Sequence, residues 1–216
     1  MKTRLNIPAL LIAGFGLLAV SCGRSYLPTK YYRIDTAPQV DRGEKPFGVG
    51  ILIDHFWAPV FYNNEMVYQE GDYLVGRYSY SCWTEPPAAL VRRSVVNSLL
   101  ASGLFTDIVG PADPGSACLT LRGELIRFDQ IVNPEDKDDL RARCAFGLQI
   151  VETGTGKPLW KFVVDKTAPQ KEGSSFAETI SGMVTAGMRE MISSLQASHE
   201  VRTVASACRD SSSSGK

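Results

Sequence analysis

Apolar residues recur along the chain with period two in some stretches and with helical spacing in others. Lys30 to Thr36 and Phe47 to Asp54 read as strands, the second apolar on both parities as if covered on both faces. Val60 to Gln69 and Tyr73 to Trp83 are two more, with Glu70-Gly71-Asp72 between them as a hairpin turn. In the latter, Leu74, Tyr78, Tyr80 and Cys82 share one face and Arg77, Ser79 and Ser81 the other. Thr84 is placed to cap a helix whose first turn holds Pro86-Pro87, where proline is tolerated. Ala88, Val91, Val95 and Leu99 form its stripe, widened by Val96 and Leu100, and Gly103 is the expected C-terminal stop.

Ala117 to Phe128 and Leu140 to Glu152 then read as an antiparallel pair joined by an acidic loop, Pro134 to Asp139. Parity puts Leu119, Leu121 and Leu125 on one buried face, opposite Ala142, Phe146, Leu148 and Ile150. Thr153 to Gly156 turns the chain into a strand over Pro158 to Lys166, in which Trp160, Phe162 and Val164 alternate with exposed positions. Ser175 and Glu178 have the spacing of a capping box ahead of an apolar helical stripe that runs from Phe176 through Ile180, Met183, Val184, Gly187, Met188 and Met191 to Leu195. From Ser198 the chain is polar and is expected to fray. The order ββββ-α-βββ-α predicts an α/β fold of the α+β type, a two-layer sandwich in which two helices cover one face of a largely antiparallel sheet.

The first 21 residues are set apart from this domain. Lys2 and Arg4 precede an apolar run from Ile7 to Val20, and Leu18-Ala19-Val20-Ser21-Cys22 resembles a bacterial lipobox. Small residues before the cysteine suit a signal peptidase cutting between Ser21 and Cys22, and the thiol would carry a diacylglyceryl thioether, with acylation of the freed amine. Two or three acyl chains give lasting attachment where one gives only marginal binding. An ordinary signal peptide with an incidental cysteine is the competing reading. Gly23 lacks the aspartate that retains such proteins at the inner membrane, which favours the outer membrane. The expected organisation is a signal peptide over 1–21, a lipidated tether over 22–29, a periplasmic domain over 30–197 and a polar tail over 198–216.

Composition narrows the function classes. Of 216 residues, 44% are apolar and 21% charged, which excludes a disordered chain. Equal numbers of basic and acidic side chains, 23 of each, exclude a nucleic-acid binder driven by bulk positive charge. Loss of the leader removes two basic side chains and no acidic one.

Catalytic chemistry is hard to assemble. Gly154-Thr155-Gly156-Lys157 lacks the upstream glycine and following hydroxyl of a phosphate-binding loop, since Val151 and Pro158 stand there. His55 and His199 are the two histidines, and no serine lies in a G-x-S-x-G context. The cysteines have no metal-binding spacing, and Glu135 to Asp139 lacks the ligand order of a calcium loop, so no metal and no cofactor is expected. The four cysteines beyond Cys22 are Cys82, Cys118, Cys144 and Cys208. Cys82 and Cys144 are expected to face the core, while Cys118, on the outer face, is hypothesised to bridge to Cys208. Met183, Met188 and Met191 fit core filling, with a lipid-contacting surface as the alternative. Phe56, Trp57, Phe61 and Tyr62 cluster beside Pro59 and are the candidate partner-contact residues, against a plain core role.

Tyr31-Tyr32-Arg33-Ile34, Met66-Val67-Tyr68-Gln69 and the stretch Tyr78-Ser79-Tyr80-Ser81-Cys82-Trp83-Thr84-Glu85-Pro86-Pro87 carry a resemblance, continued by Leu90, Leu99, Leu100 and Gly103-Leu104-Phe105. Together they resemble the ABC-type transport auxiliary lipoprotein family, which includes the lipoprotein of the paraquat-inducible Pqi system. Trp83, Glu85 and Pro86 supply that family's tryptophan-acidic-proline turn into a helix. The resemblance implies a periplasmic domain serving an ABC transporter of lipid-like molecules, with a permease, an ATPase and an MCE-domain (mammalian cell entry) protein as partners. It also implies no ATP site in this chain, and a place at the outer membrane as a ring of copies. The expectation is therefore a non-enzymatic auxiliary subunit. An outer-membrane assembly or secretin-pilot lipoprotein is the alternative, and a periplasmic hydrolase a third class.

Overall fold

The computed structural model describes residues 27–35, 40, 42, 45–112, 115, 117–136 and 138–213. The leader, its cleavage site and Cys22 lie outside the described residues. Eight strands form one sheet: β1 (Lys30–Tyr32), β2 (Gly50–Trp57), β3 (Glu65–Glu70), β4 (Leu74–Trp83), β5 (Asp107–Val109), β6 (Leu119–Val132), β7 (Leu140–Glu152) and β8 (Pro158–Pro169). Among the described residues three helices accompany them: α1 (Pro87–Ser102), α2 (Phe176–Gln196) and α3 (His199–Ser213).

The α+β class holds, but the sheet is mixed and not largely antiparallel. Pairs β3/β4, β6/β7 and β7/β8 are antiparallel, whereas β1/β4, β2/β5, β2/β6 and β3/β6 are parallel. The antiparallel pairs are the ones joined by short turns, which a sequence displays. The parallel pairs join strands distant in the chain, and no local signal announces them. Strand β6 organises the whole. One edge pairs with β7 from Leu119 to Val132, while the other meets β2 over Leu119–Glu124 and β3 over Asp129–Val132.

The buried face follows from alternation. Leu119, Leu121 and Leu125 of β6 and Ala142, Phe146, Leu148 and Ile150 of β7 are all buried. A register shift between Leu125 and Arg127 then turns Phe128 inward as well. Helix α1 lies on β2 and β6, and α2 on β7 and β8, around one shared core. Full burial of a side chain such as Phe146 contributes roughly 1.5–3 kcal/mol. Gly187 lets α2 come close, because a Cβ there would fall 2.9 Å from Val164 Cγ2.

The helix ends differ in how they are held. Ser175 Oγ accepts from the Glu178 amide at 3.2 Å, and the Ser175 amide donates to Glu178 Oε2 at 2.6 Å, so the capping box closes. Helix α1 instead starts behind Pro86 with no side-chain cap, and Thr84 uses its amide to reach the Tyr32 carbonyl. Gly103 stops α1 at φ +62°, a left-handed conformation that favours glycine. The α1 stripe also differs from expectation: Leu100 is exposed, and Leu90, Ser94, Ser98 and Ser102 are buried. Ser94 and Ser102 satisfy their hydroxyls on the Leu90 and Leu99 carbonyls, both at 2.8 Å.

Three further segments depart from the sequence reading. Residues 58–64 form a loop, and β3 begins only at Glu65. Strand β5 went unread because it spans three residues. The polar tail is helical as far as Ser213, because Val201 and Ala205 are buried on one side of α3. Arg202 adds to that docking, its guanidinium lying 5.0 Å from the Phe47 ring centroid and donating to the Lys45 carbonyl. Cys208 on α3 is disulfide-bonded to Cys118 just ahead of β6, with Cα atoms 6.5 Å apart.

Candidate functional site

Strand alternation separates the four candidate aromatic residues. A shift in the β2/β6 register between Ile53 and Phe56 sets Phe56 opposite Gly123 and Trp57 opposite Glu124. Phe56 faces the core side and is half-buried there. A Cβ on Gly123 would sit 2.5 Å from its ring, so the glycine makes room for it. Trp57 projects to the opposite face and is 61% exposed. Phe61, 36% exposed, lies under the Arg77 guanidinium at 4.4 Å from its centroid. Tyr62, within the 58–64 loop, is half-buried, and its hydroxyl donates to Asp129 Oδ1 at 3.2 Å. Trp57 and Phe61 thus remain contact candidates, while Phe56 and Tyr62 are largely structural.

The Tyr62 contact closes one end of the outer sheet face. Asp129 is buried and pairs with Arg143 Nη2 at 2.6 Å, which also donates to Gln69 Oε1 at 2.6 Å. Burial foremost, and then the Asp129 carboxylate, push the Tyr62 hydroxyl up to about 12. Burial also pushes the Cys144 thiol up to about 12, with Asp129 and Asp165 adding to the effect, so Cys144 is an inert core thiol. Cys82 departs from expectation: it is half-exposed beside β1 and is not a core residue.

Beyond the closed end, the outer face opens into a trough of about 590 Å³. Its axis is the cross-strand row Trp57–Glu124–Gly147–Val163, one residue from each of β2, β6, β7 and β8. The next row is Arg122–Gln149–Lys161. Gly147 floors the trough, since a Cβ there would have open space above it, and Val163 is 63% exposed. Arg122 reaches Asp54 at 3.6 Å, an exposed pair of little energetic weight. The trough offers an aromatic wall, a short apolar floor and a cationic end. That is equipment suited to contact and binding, with Glu124 on its axis between the aromatic wall and the glycine floor. Gly147 and Val163 were missed from sequence; a glycine inside an apolar strand pattern was the available signal.

Among the described residues, no group of three or more histidine, cysteine, aspartate or glutamate side chains converges as a metal site would require. Among the same residues no helix is long and apolar enough to cross a membrane. Met183, Met188 and Met191 are all buried and fill the core.

No family model matches the chain, and no curated protein matches it. Solved structures do. Protein XCC0632 from Xanthomonas campestris, of family DUF330, superposes with a TM-score of 0.62 at 12% identity, covering 85% of this chain and 99% of that one. A PelC dodecamer from Paraburkholderia phytofirmans gives 0.44 at 16% identity, covering 73% and 94%. Lipoprotein GNA1162 from Neisseria meningitidis gives 0.40 at 10% identity, covering 67% and 98%. The first similarity establishes a shared fold; the other two overlap too loosely to inform function.

Proposed function

We propose that this chain is a lipid-anchored, non-enzymatic auxiliary subunit of an ABC-type, MCE-associated lipid transport system in the bacterial envelope. The observation that carries this reading is the lipobox, Leu18 to Cys22, directly behind a charged n-region and an apolar run. Acyl chains on Cys22 hold the domain at the outer membrane, facing the periplasm. The open trough, with Trp57 at its wall, is the surface offered to the MCE-domain protein or to the permease and ATPase complex, and Phe61 of the 58–64 loop is a second contact candidate. The family resemblance around Trp83, Glu85 and Pro86 supports the choice of system, and the mixed sheet with its helix-covered face suits a rigid adaptor.

Two measurements test the reading. Intact-mass analysis of protein extracted from envelopes is expected to show the acyl additions on Cys22, and a bare thiol there overturns the anchor. Cross-linking in intact cells followed by mass spectrometry is expected to capture an MCE-domain protein or an ABC component. Trp57→Ala is expected to reduce that capture at least several-fold while leaving the thermal melt unchanged. Capture of a membrane β-barrel or a secretin instead would overturn the transport assignment in favour of an assembly or pilot role.

A further inference from the structure

A second apolar feature lies far from the trough, at the turn of the β3–β4 hairpin. Tyr73 is 94% exposed, Leu74 56% and Val75 47%, three consecutive apolar side chains at the hairpin turn. Gly71 makes the turn at φ +61°, and Gln69 Nε2 ties it by donating to the Gly71 carbonyl at 2.8 Å. The packing of the domain does not require these side chains.

The direction of β1 says what this tip faces. β1 runs parallel to β4, in register Lys30 with Ser81 and Tyr32 with Trp83. The chain therefore enters β1 from the side on which β4 begins, which is the hairpin turn. Cys22 precedes Lys30 by eight residues, and Tyr73 precedes Ser81 by eight. Eight residues of extended chain span at most about 26–29 Å, and eight residues of strand cover about 26 Å. The tether thus has the reach to set its attachment point level with Tyr73. β1 itself pairs with β4 only over Ser81–Trp83, so it stops short of the tip.

We infer that Tyr73, Leu74 and Val75 form a second membrane contact, seated in the phospholipid headgroup layer beside the acyl chains of Cys22 and fixing the orientation of the domain. This rests on the lipidation of Cys22 proposed above. Tyrosine suits the interface, where its ring is buried and its hydroxyl stays wet. The acidic neighbours Glu70 and Asp72 identify the lipid surface as one with little negative charge, because an anionic surface would repel the tip. With the domain moored at two points, the trough is presented at a set angle to the membrane.

The test uses the full-length lipidated protein in phosphatidylcholine vesicles and in detergent. Hydrogen exchange at the amides of Gly71 to Val75 is expected to slow about tenfold in vesicles. In Tyr73→Asp and Leu74→Asp the slowing is lost while the protein still floats with the vesicles, and an unchanged thermal melt shows that the fold persists. Flotation without any slowing at these amides overturns the hairpin contact and leaves the anchor standing. Failure to float overturns the anchor, and the contact with it. Slowing that persists in detergent and grows with protein concentration overturns the proposal in favour of a second copy of the chain covering the tip. Slowing that requires phosphatidylserine and vanishes in salt also overturns it, since apolar seating needs neither.

Discussion

The two faces of the central sheet are built from alternate residues of the same strands, yet they have opposite characters. Leu121, Phe146 and Val164 point toward the helices and are buried to within a few per cent. Arg122, Gly147 and Val163 are their immediate neighbours in sequence and point the other way, into an open trough. The inner face removes large apolar surfaces from water and so supplies stability. The outer face keeps an aromatic ring, a bare backbone and an exposed valine in water, at a modest cost in stability. Among the described residues the outer face closes at the Asp129 end, under the 58–64 loop. The difference shows where change is tolerated: alternate positions of one strand answer to different demands.

The largest effect is expected from Phe146→Ala, on the inner face. It leaves a cavity between the sheet and α2 and is expected to cost about 4 kcal/mol in denaturant unfolding. Asp129→Ala comes next. It strands the half-buried Arg143 without its carboxylate at the closed end, and about 3 kcal/mol is expected to be lost by the same measurement. A loss under about 1 kcal/mol would mean that the closed end belongs energetically with the open trough.

The pH dependence is smaller and has a definite sign. The ordinary tyrosine value is 10, and folding raises that of Tyr62 to about 12. Below pH 10 both states keep the proton and the contribution is complete. Between pH 10 and 12 the unfolded chain binds fewer protons than the native one, so stability falls as pH rises. Cys144 acts in the same direction, from its ordinary value of 9 to about 12. Tyr62→Phe is expected to make the alkaline fall in melting temperature shallower, and an unaltered slope would remove Tyr62 from the account. The smallest effect is expected from Val163→Thr in the trough, within about 0.5 kcal/mol of wild type. A greater loss would show that something within the chain covers the trough.

Much of the inner face was legible because its signals are local. The alternation of Leu119, Leu121 and Leu125 against Phe146, Leu148 and Ile150, the capping box at Ser175, and the stop at Gly103 each need only a few neighbouring residues. The outer face was less legible. Phe56 and Trp57 are adjacent and both aromatic, and only the register shift in β2 determines which one the core takes. For Tyr62 contact and core roles stay open in the sequence, because nothing near it reveals Asp129, which arrives from β6. The helix after Ser198 was hidden because its apolar side is no more than Val201, Ala205 and their half-buried neighbours, held by contacts to Phe47 and by Cys118.

From sequence alone came the class of fold, the hairpins, the buried sides of β6, β7 and α2, and the candidate anchor at Cys22. Each depends on periodicity or on contiguous residue chemistry, which survives in one dimension. The tertiary structure decided the parallel pairings, the use of β6 by two strands on one edge, the trough beside Trp57, and the placing of the Tyr73 tip on the side from which the chain enters β1. Those depend on which distant segments share a strand edge, a choice made by burial summed over the whole sheet and written in no single stretch of the chain.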